Sequence, residues 1–247
     1  MTIDAAETSN GASTAPRKAV GNSGPVLLRH AADRELARIE SGVNFVLIAF
    51  VAATVCLPTG VVIGLLLNAR ATTELVLAFV GVALNAVTLI GYYRLTTPIT
   101  AFPRETQPEM TRLVTRVLAA MALVVVSLDA LVHVILGDAG STSKFLQFVL
   151  GVAFMLVWAA QYALLMGYER WLGGRVPDRF VTSRAAVYQW LFPILVLVGV
   201  VPFLFGLSLL AAVVLHANLL LRLRTHIKSI RATGAPAKLE RMGAAPA

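Results

Sequence analysis

Long apolar runs separated by short polar gaps set the plan of this chain. Four of them fall at about 43–67, 74–93, 113–137 and 145–167. Each is close to the ~20 residues that a helix needs to cross a hydrocarbon core of ~30 Å. A fifth run extends from Ala185 to Leu221 without a charged residue. As one helix it would measure roughly 55 Å, far more than an ordinary span. Pro202 and Gly206 are breakers within it, so it reads as two spans, about 186–203 and 206–222, joined by a tight turn.

The flanks have their own patterns. Pro25 follows Ser23 and Gly24 at the place of a first helical residue. Leu28, Ala32, Leu36 and Ile39 then recur at helical spacing, with Arg29, Asp33, Arg34 and Glu40 on the other face. This predicts an amphipathic interfacial helix over 25–41. Residues 1–24, rich in Ala, Ser, Thr, Asn and Gly, are expected to be disordered. No apolar stretch follows Arg17 and Lys18, so this segment does not read as a signal peptide. Residues 225–247 read as a basic, flexible tail beyond a membrane domain spanning 42–224.

Charge decides between five spans and six. Of 21 Lys and Arg, all but Arg70 and Lys144 lie before the first run, in the gaps 94–116 and 168–185, or from Arg222 onward. Basic residues of short loops stay in the cytoplasm. Six spans put that whole set, and both termini, on the cytoplasmic side of a cell (inner) membrane. Five spans would leave the six basic residues from Arg222 onward outside.

Composition agrees with this class. The chain is 57% hydrophobic and 14% charged, with a mean hydropathy of +0.77. The net charge of +8 does not indicate nucleic acid, because the basic residues flank apolar runs rather than forming a patch with interleaved aromatics. The partners it implies are the lipid bilayer and anionic headgroups at the cytoplasmic face. The single cysteine, Cys56, excludes an internal disulfide and any motif of cysteine pairs.

The spans also echo one another. Arg38-Ile39-Glu40-Ser41-Gly42-Val43 before the first span matches Arg112-Leu113-Val114-Thr115-Arg116-Val117 before the third. Gly91-Tyr92-Tyr93-Arg94 ends the second as Gly167-Tyr168-Glu169-Arg170 ends the fourth. Two spans per unit would make tandem parallel repeats, three α-hairpins entering from one side. The membrane itself also favours Arg and Tyr at such positions.

Ionisable residues inside spans are costly and are candidate sites. Asp129 is the clearest, and His133 lies one turn on, on the same face of the third span. Asn85, at similar depth on the second span, is the expected partner. Gln161, Trp158 and Gln147 on the fourth span suit hydrogen bonds between helices. Gly60 and Gly64, after Pro58, suit a kink and a close helix contact. His216, with Asn218, reads as facing the cytoplasmic interface. By helical rise His133 sits roughly 24 Å above the inner boundary and His216 roughly 8 Å, so the two are not expected to share a metal or a haem. His30 and His226 lie outside the spans. The four lysines, Lys18, Lys144, Lys228 and Lys238, are not deep in a span, which excludes a retinal Schiff base. The nucleotide-binding, zinc-protease and serine-hydrolase motifs do not occur. No cofactor and no metal are therefore expected, and a membrane-embedded enzyme is the least favoured class.

The expected fold is all-α: a polytopic transmembrane helical bundle of six spans. The first functional expectation is a structural or accessory subunit, or scaffold, of a membrane assembly, packing with itself or with other chains. The alternative is a small-solute or proton-coupled carrier or channel using Asp129 and His133.

Overall fold

The computed structural model describes residues 28–67, 70–136, 140–176, 178–198 and 202–243. All regular structure among them is helical: α1 Asp33–Leu66, α2 Arg70–Leu95, α3 Glu109–Leu136, α4 Ser141–Gly173, α5 Arg179–Val198 and α6 Pro202–Gly243. Short 3-10 turns stand at Leu28–His30 and Arg104–Thr106. The segment 1–24, expected to be disordered, lies outside the described residues.

The order of packing is a ring. Each helix packs on the next in the chain, and α6 returns to α1. Four helices, α1, α2 from Thr72, α3 and α4, are long and apolar enough to cross a membrane. Less than a fifth of the most apolar stretch of each is buried. Apolar surface on that scale is costly in water and cost-free in hydrocarbon.

Three boundaries differ from the sequence reading. The described part of the interfacial helix expected over 25–41 is not a separate element. From Asp33 it forms the first turns of α1. The physical reason is its apolar face: Leu28, Leu36 and Ile39 are buried in the protein core rather than left for a bilayer surface. The tail expected to be flexible from 225 continues α6 as helix to Gly243, and Ile227 is fully buried. In the long uncharged block, α5 is described to Val198, and the turn expected between 203 and 206 is instead helix, the first turns of α6 from Pro202. Proline suits a first helical position, where its missing N–H is not needed. Gly206 lies inside α6 and breaks nothing.

α5 and α6 are antiparallel. His226 Nε2 lies 2.9 Å from Asp178 Oδ2, just before α5 begins, and the Arg222 guanidinium lies over the Phe180 ring at 3.8 Å. The hydrogen bond from His226 holds the Asp178 carboxyl below the usual carboxylate range, helped by the Phe180 N–H.

The core is concentrated at the end where the basic segments meet. There the loop after α2 is knit to everything around it. Glu35 caps α1 through the Ala32 N–H and also accepts the Thr100 N–H at 2.9 Å. Arg116 donates to the Tyr93 and Thr96 carbonyls and the Thr96 hydroxyl, satisfying the exposed end of α2. Gln107 donates to the Ile99 and Phe102 carbonyls, and Trp171 on α4 donates to the Thr106 carbonyl at 2.7 Å. Arg231 on α6 binds both Asp33 and Glu40 on α1. These two carboxylates raise the Arg231 pKa above its ordinary value.

α1 and α2 approach most closely through glycines. Leu77 and Thr73 side chains pack over Gly60 and Gly64, the close contact their spacing suggested. At the basic end the backbones themselves touch. A Cβ on Gly42 would run into the Leu95 amide nitrogen and the Gly91 carbonyl oxygen. Neither is a flexible side-chain end that can move aside. Gly42→Ala should therefore lower stability by about 3 kcal/mol, at the upper end of overpacking costs. Gly151→Ala, whose Cβ meets nothing within 4 Å, should leave the melting temperature of the detergent-solubilised protein unchanged or slightly raised. Equal melting of the two variants would contradict the backbone contact.

Candidate functional site

Besides the His226–Asp178 contact at the start of α5, the described residues carry two acid–imidazole pairs within the helices, and only one of them was expected. Asp129 and His133 lie one turn apart on α3, as the spacing predicts. Asp129 Oδ2 is 3.9 Å from His133 Nδ1. That nitrogen is 3.0 Å from the Asp129 backbone carbonyl oxygen, which only accepts, so Nδ1 carries a proton. His133 Nε2 faces the Gln147 amide nitrogen of α4 at 3.5 Å, and Gln147 reaches the Ser143 hydroxyl at 3.3 Å. The Asp129 side chain remains 35% exposed and that of His133 17%. Asn85, the expected partner, is not brought to Asp129. Its amide donates to the Gly81 carbonyl of its own helix at 2.9 Å.

The second pair joins α4 to α6. Along the last turns of α4, Tyr162, Leu165, Met166, Glu169 and Leu172 form one buried stripe. On α6, Ala212, His216, Leu219, Leu220 and Leu223 form another. His216 reaches from one stripe to the other, to Glu169 and Tyr162. One proton lies between His216 Nε2 and Glu169 Oε1, 2.8 Å apart, and both side chains are 0% exposed. His216 therefore does not face the interface with Asn218, as its position suggested.

An aromatic cage closes around this pair. Ring centroids of Phe50 on α1, Tyr162 on α4 and Phe192 on α5 lie 5.1, 5.3 and 5.9 Å from the His216 ring. Trp158 packs edge-on against Tyr162 at 4.8 Å. Tyr92 on α2 is also fully buried. The Tyr92 and Tyr162 hydroxyls interact with each other, while Glu169 Oε2 and His216 Nδ1 have no further hydrogen-bond partner among the described residues. Gln161 Oε1, one residue from Tyr162, is likewise buried without a partner. Chemically this is a hydrogen bond between a carboxyl group and an imidazole, fully buried among aromatic rings. No group of three or more His, Cys, Asp or Glu that could hold a metal occurs among the described residues.

Glu169 escaped the sequence reading because Arg170 beside it belongs to a basic gap. The signal that finds it is the i, i+3, i+4, i+7 spacing from Tyr162, which turns Glu169 inward and Arg170 outward. Compared with protein-family models, with curated proteins and with solved structures, the chain finds no match in any of the three.

Removing one partner of this buried hydrogen-bonded pair strands the other in an apolar cage, at about 3 kcal/mol. Glu169→Ala and His216→Ala should each lose that much in thermal or denaturant unfolding. The double variant Glu169→Met/His216→Leu should recover most of it, since no buried polar group of the pair is then left without its partner. Single variants that unfold like wild type would show that the pair carries no structural weight.

Proposed function

We propose that the chain is a six-span subunit of an inner membrane assembly, structural rather than catalytic, with both termini in the cytoplasm. The observation that carries this reading is the sealed Glu169–His216 pair. The most deeply buried ionisable groups of the bundle serve as a tie between helices, closed to any solute in transit. The six-span path draws support from the antiparallel α5 and α6 and from the gathering of basic segments at one end. α5 alone is 20 residues long, about 30 Å of helix, which matches a hydrocarbon core. The broad apolar faces of α1 to α4 suit packing against lipid, a second copy or another chain.

The tandem-repeat reading has mixed support. Tyr92 and Tyr168, matched in the sequence echo, are both fully buried. Gly91 and Gly167 have different surroundings: Gly91 lies against the Val46 backbone, and Gly167 has only the Gln189 amide nearby, at 3.7 Å.

One observation favours the second reading, a proton-coupled carrier. Asp129 is a third exposed at a depth where an ionised carboxylate is expensive. It needs either a wet path or a covering partner.

Proton flux in reconstituted vesicles separates the two readings. Wild type and Asp129→Asn at the protein-free background would support the structural subunit. Wild-type flux well above background, lost in Asp129→Asn, would replace it with the carrier. The path is tested independently by a reporter fused after Arg241, expected in the cytoplasm; an extracytoplasmic reporter would exclude six spans.

A further inference from the structure

A cavity of about 540 Å³ opens at the basic end, between the last turn of α4 and the first turns of α5. None of the residues that line it belongs to the Glu169–His216 cage. Arg170 on α4 and Arg179 on α5 line it, together with Thr182, Ser183 and the side-chain-free wall at Gly173. Both arginines are exposed, and neither guanidinium makes an ion pair among the described residues, whereas Arg231 binds two carboxylates. The Thr182 hydroxyl makes no hydrogen bond among the described residues either.

The one acid lining the cavity, Asp178, is already engaged. Its Oδ1 takes the Phe180 N–H at 2.8 Å and its Oδ2 lies 2.9 Å from His226 Nε2. Its charge is answered from the α6 side, which leaves the two arginines to set the sign of the cavity. Two unpaired guanidiniums beside a free hydroxyl are the donors that a phosphate group requires.

The surface above the cavity narrows the source of that phosphate. From Ser183 the same face of α5 continues through Val187, Trp190 and Ile194, at the i+4, i+7 and i+11 positions. These side chains are exposed by 57%, 74% and 55%. The stripe runs about 16 Å along the helix, roughly one leaflet of a ~30 Å core. A basic cavity between helices on the cytoplasmic side, leading into an apolar stripe of leaflet depth, has the profile of a lipid headgroup site.

We propose that this cavity binds the phosphate of an anionic phospholipid of the cytoplasmic leaflet, through Arg170, Arg179 and Thr182, with an acyl chain laid along Val187, Trp190 and Ile194. The inference rests on the six-span reading, which places α5 in the bilayer.

The test uses the full chain in mild detergent, with phosphatidylglycerol, phosphatidylcholine and inorganic phosphate as probes in native mass spectrometry and titration. Wild type should retain phosphatidylglycerol over phosphatidylcholine. Arg170→Gln/Arg179→Gln should weaken that binding about thirtyfold, from two basic contacts near a membrane surface. Arg34→Gln/Arg104→Gln, which removes as much charge from the same end, should bind like wild type. If it weakens binding equally, the attraction is diffuse and the site is overturned. Millimolar inorganic phosphate should not displace the lipid; if it does, the cavity is a free-phosphate site. A phosphatidylglycerol brominated on its acyl chain should quench tryptophan fluorescence, and Trp190→Phe should abolish most of that quenching. Quenching unchanged in Trp190→Phe would remove the acyl-chain placement. Binding in detergent and the reporter after Arg241 are separate readouts, so failure of the site and failure of the six-span path are told apart.

Discussion

One hydrogen-bonded contact, between Glu169 and His216, sits where the helices of this ring converge. The His216 ring touches α1 through Phe50, α4 through Tyr162 and Glu169, and α5 through Phe192. A carboxylate and an imidazole without water must face each other closely, because any other arrangement leaves a buried polar group unanswered. That requirement fixes the rotation of α4 and α6 about their own axes, which apolar packing alone leaves loosely determined. The buried stripes on both helices, and the position of the aromatic cage, follow from that rotation.

The two ends of the bundle differ accordingly. At the basic end, side chains of the loops and helix termini answer one another: Glu35 with Thr100, Trp171 with Thr106, Arg231 with Asp33 and Glu40. In the stretches of α1, α2 and α4 nearer the other end, fully buried positions are few, Gly64 and Ser143 among them. An apolar solvent makes this division workable, since hydrocarbon demands only that the backbone be satisfied within each helix.

Much of the helical plan was legible in the sequence, because length and charge speak directly to helix existence. The first four runs coincide with parts of α1 to α4 to within a residue, and the uncharged block splits before Pro202 as its length required. Helix ends were less legible. The 33–41 segment and the 225–243 segment are polar enough to resemble surface or tail, and only their contacts with each other explain why both join continuous helices. The candidate site was half legible. Asp129 and His133 share a face because helical spacing alone puts them there. Asn85 was matched to Asp129 by depth, but depth says nothing about rotation, and a side chain on α2 has the carbonyl one turn behind it always within reach. Glu169 was hidden by its neighbour's charge, and only the three-dimensional stripe separates the inward acid from the outward arginine.

Arg231 and Asp33 stand 198 residues apart and are bonded at 2.9 Å. During synthesis α1 is made long before the matching part of α6. Until then Asp33 and Glu40 lack their guanidinium, and Phe50 lacks the imidazole it packs against. Helices α1 to α5 can associate in order, each with its predecessor, but the circle has no closure before the ribosome has finished α6. The final helix therefore acts as a keystone: a chain cut short before it would hold five of the six helices and neither of the contacts that join its beginning to its end.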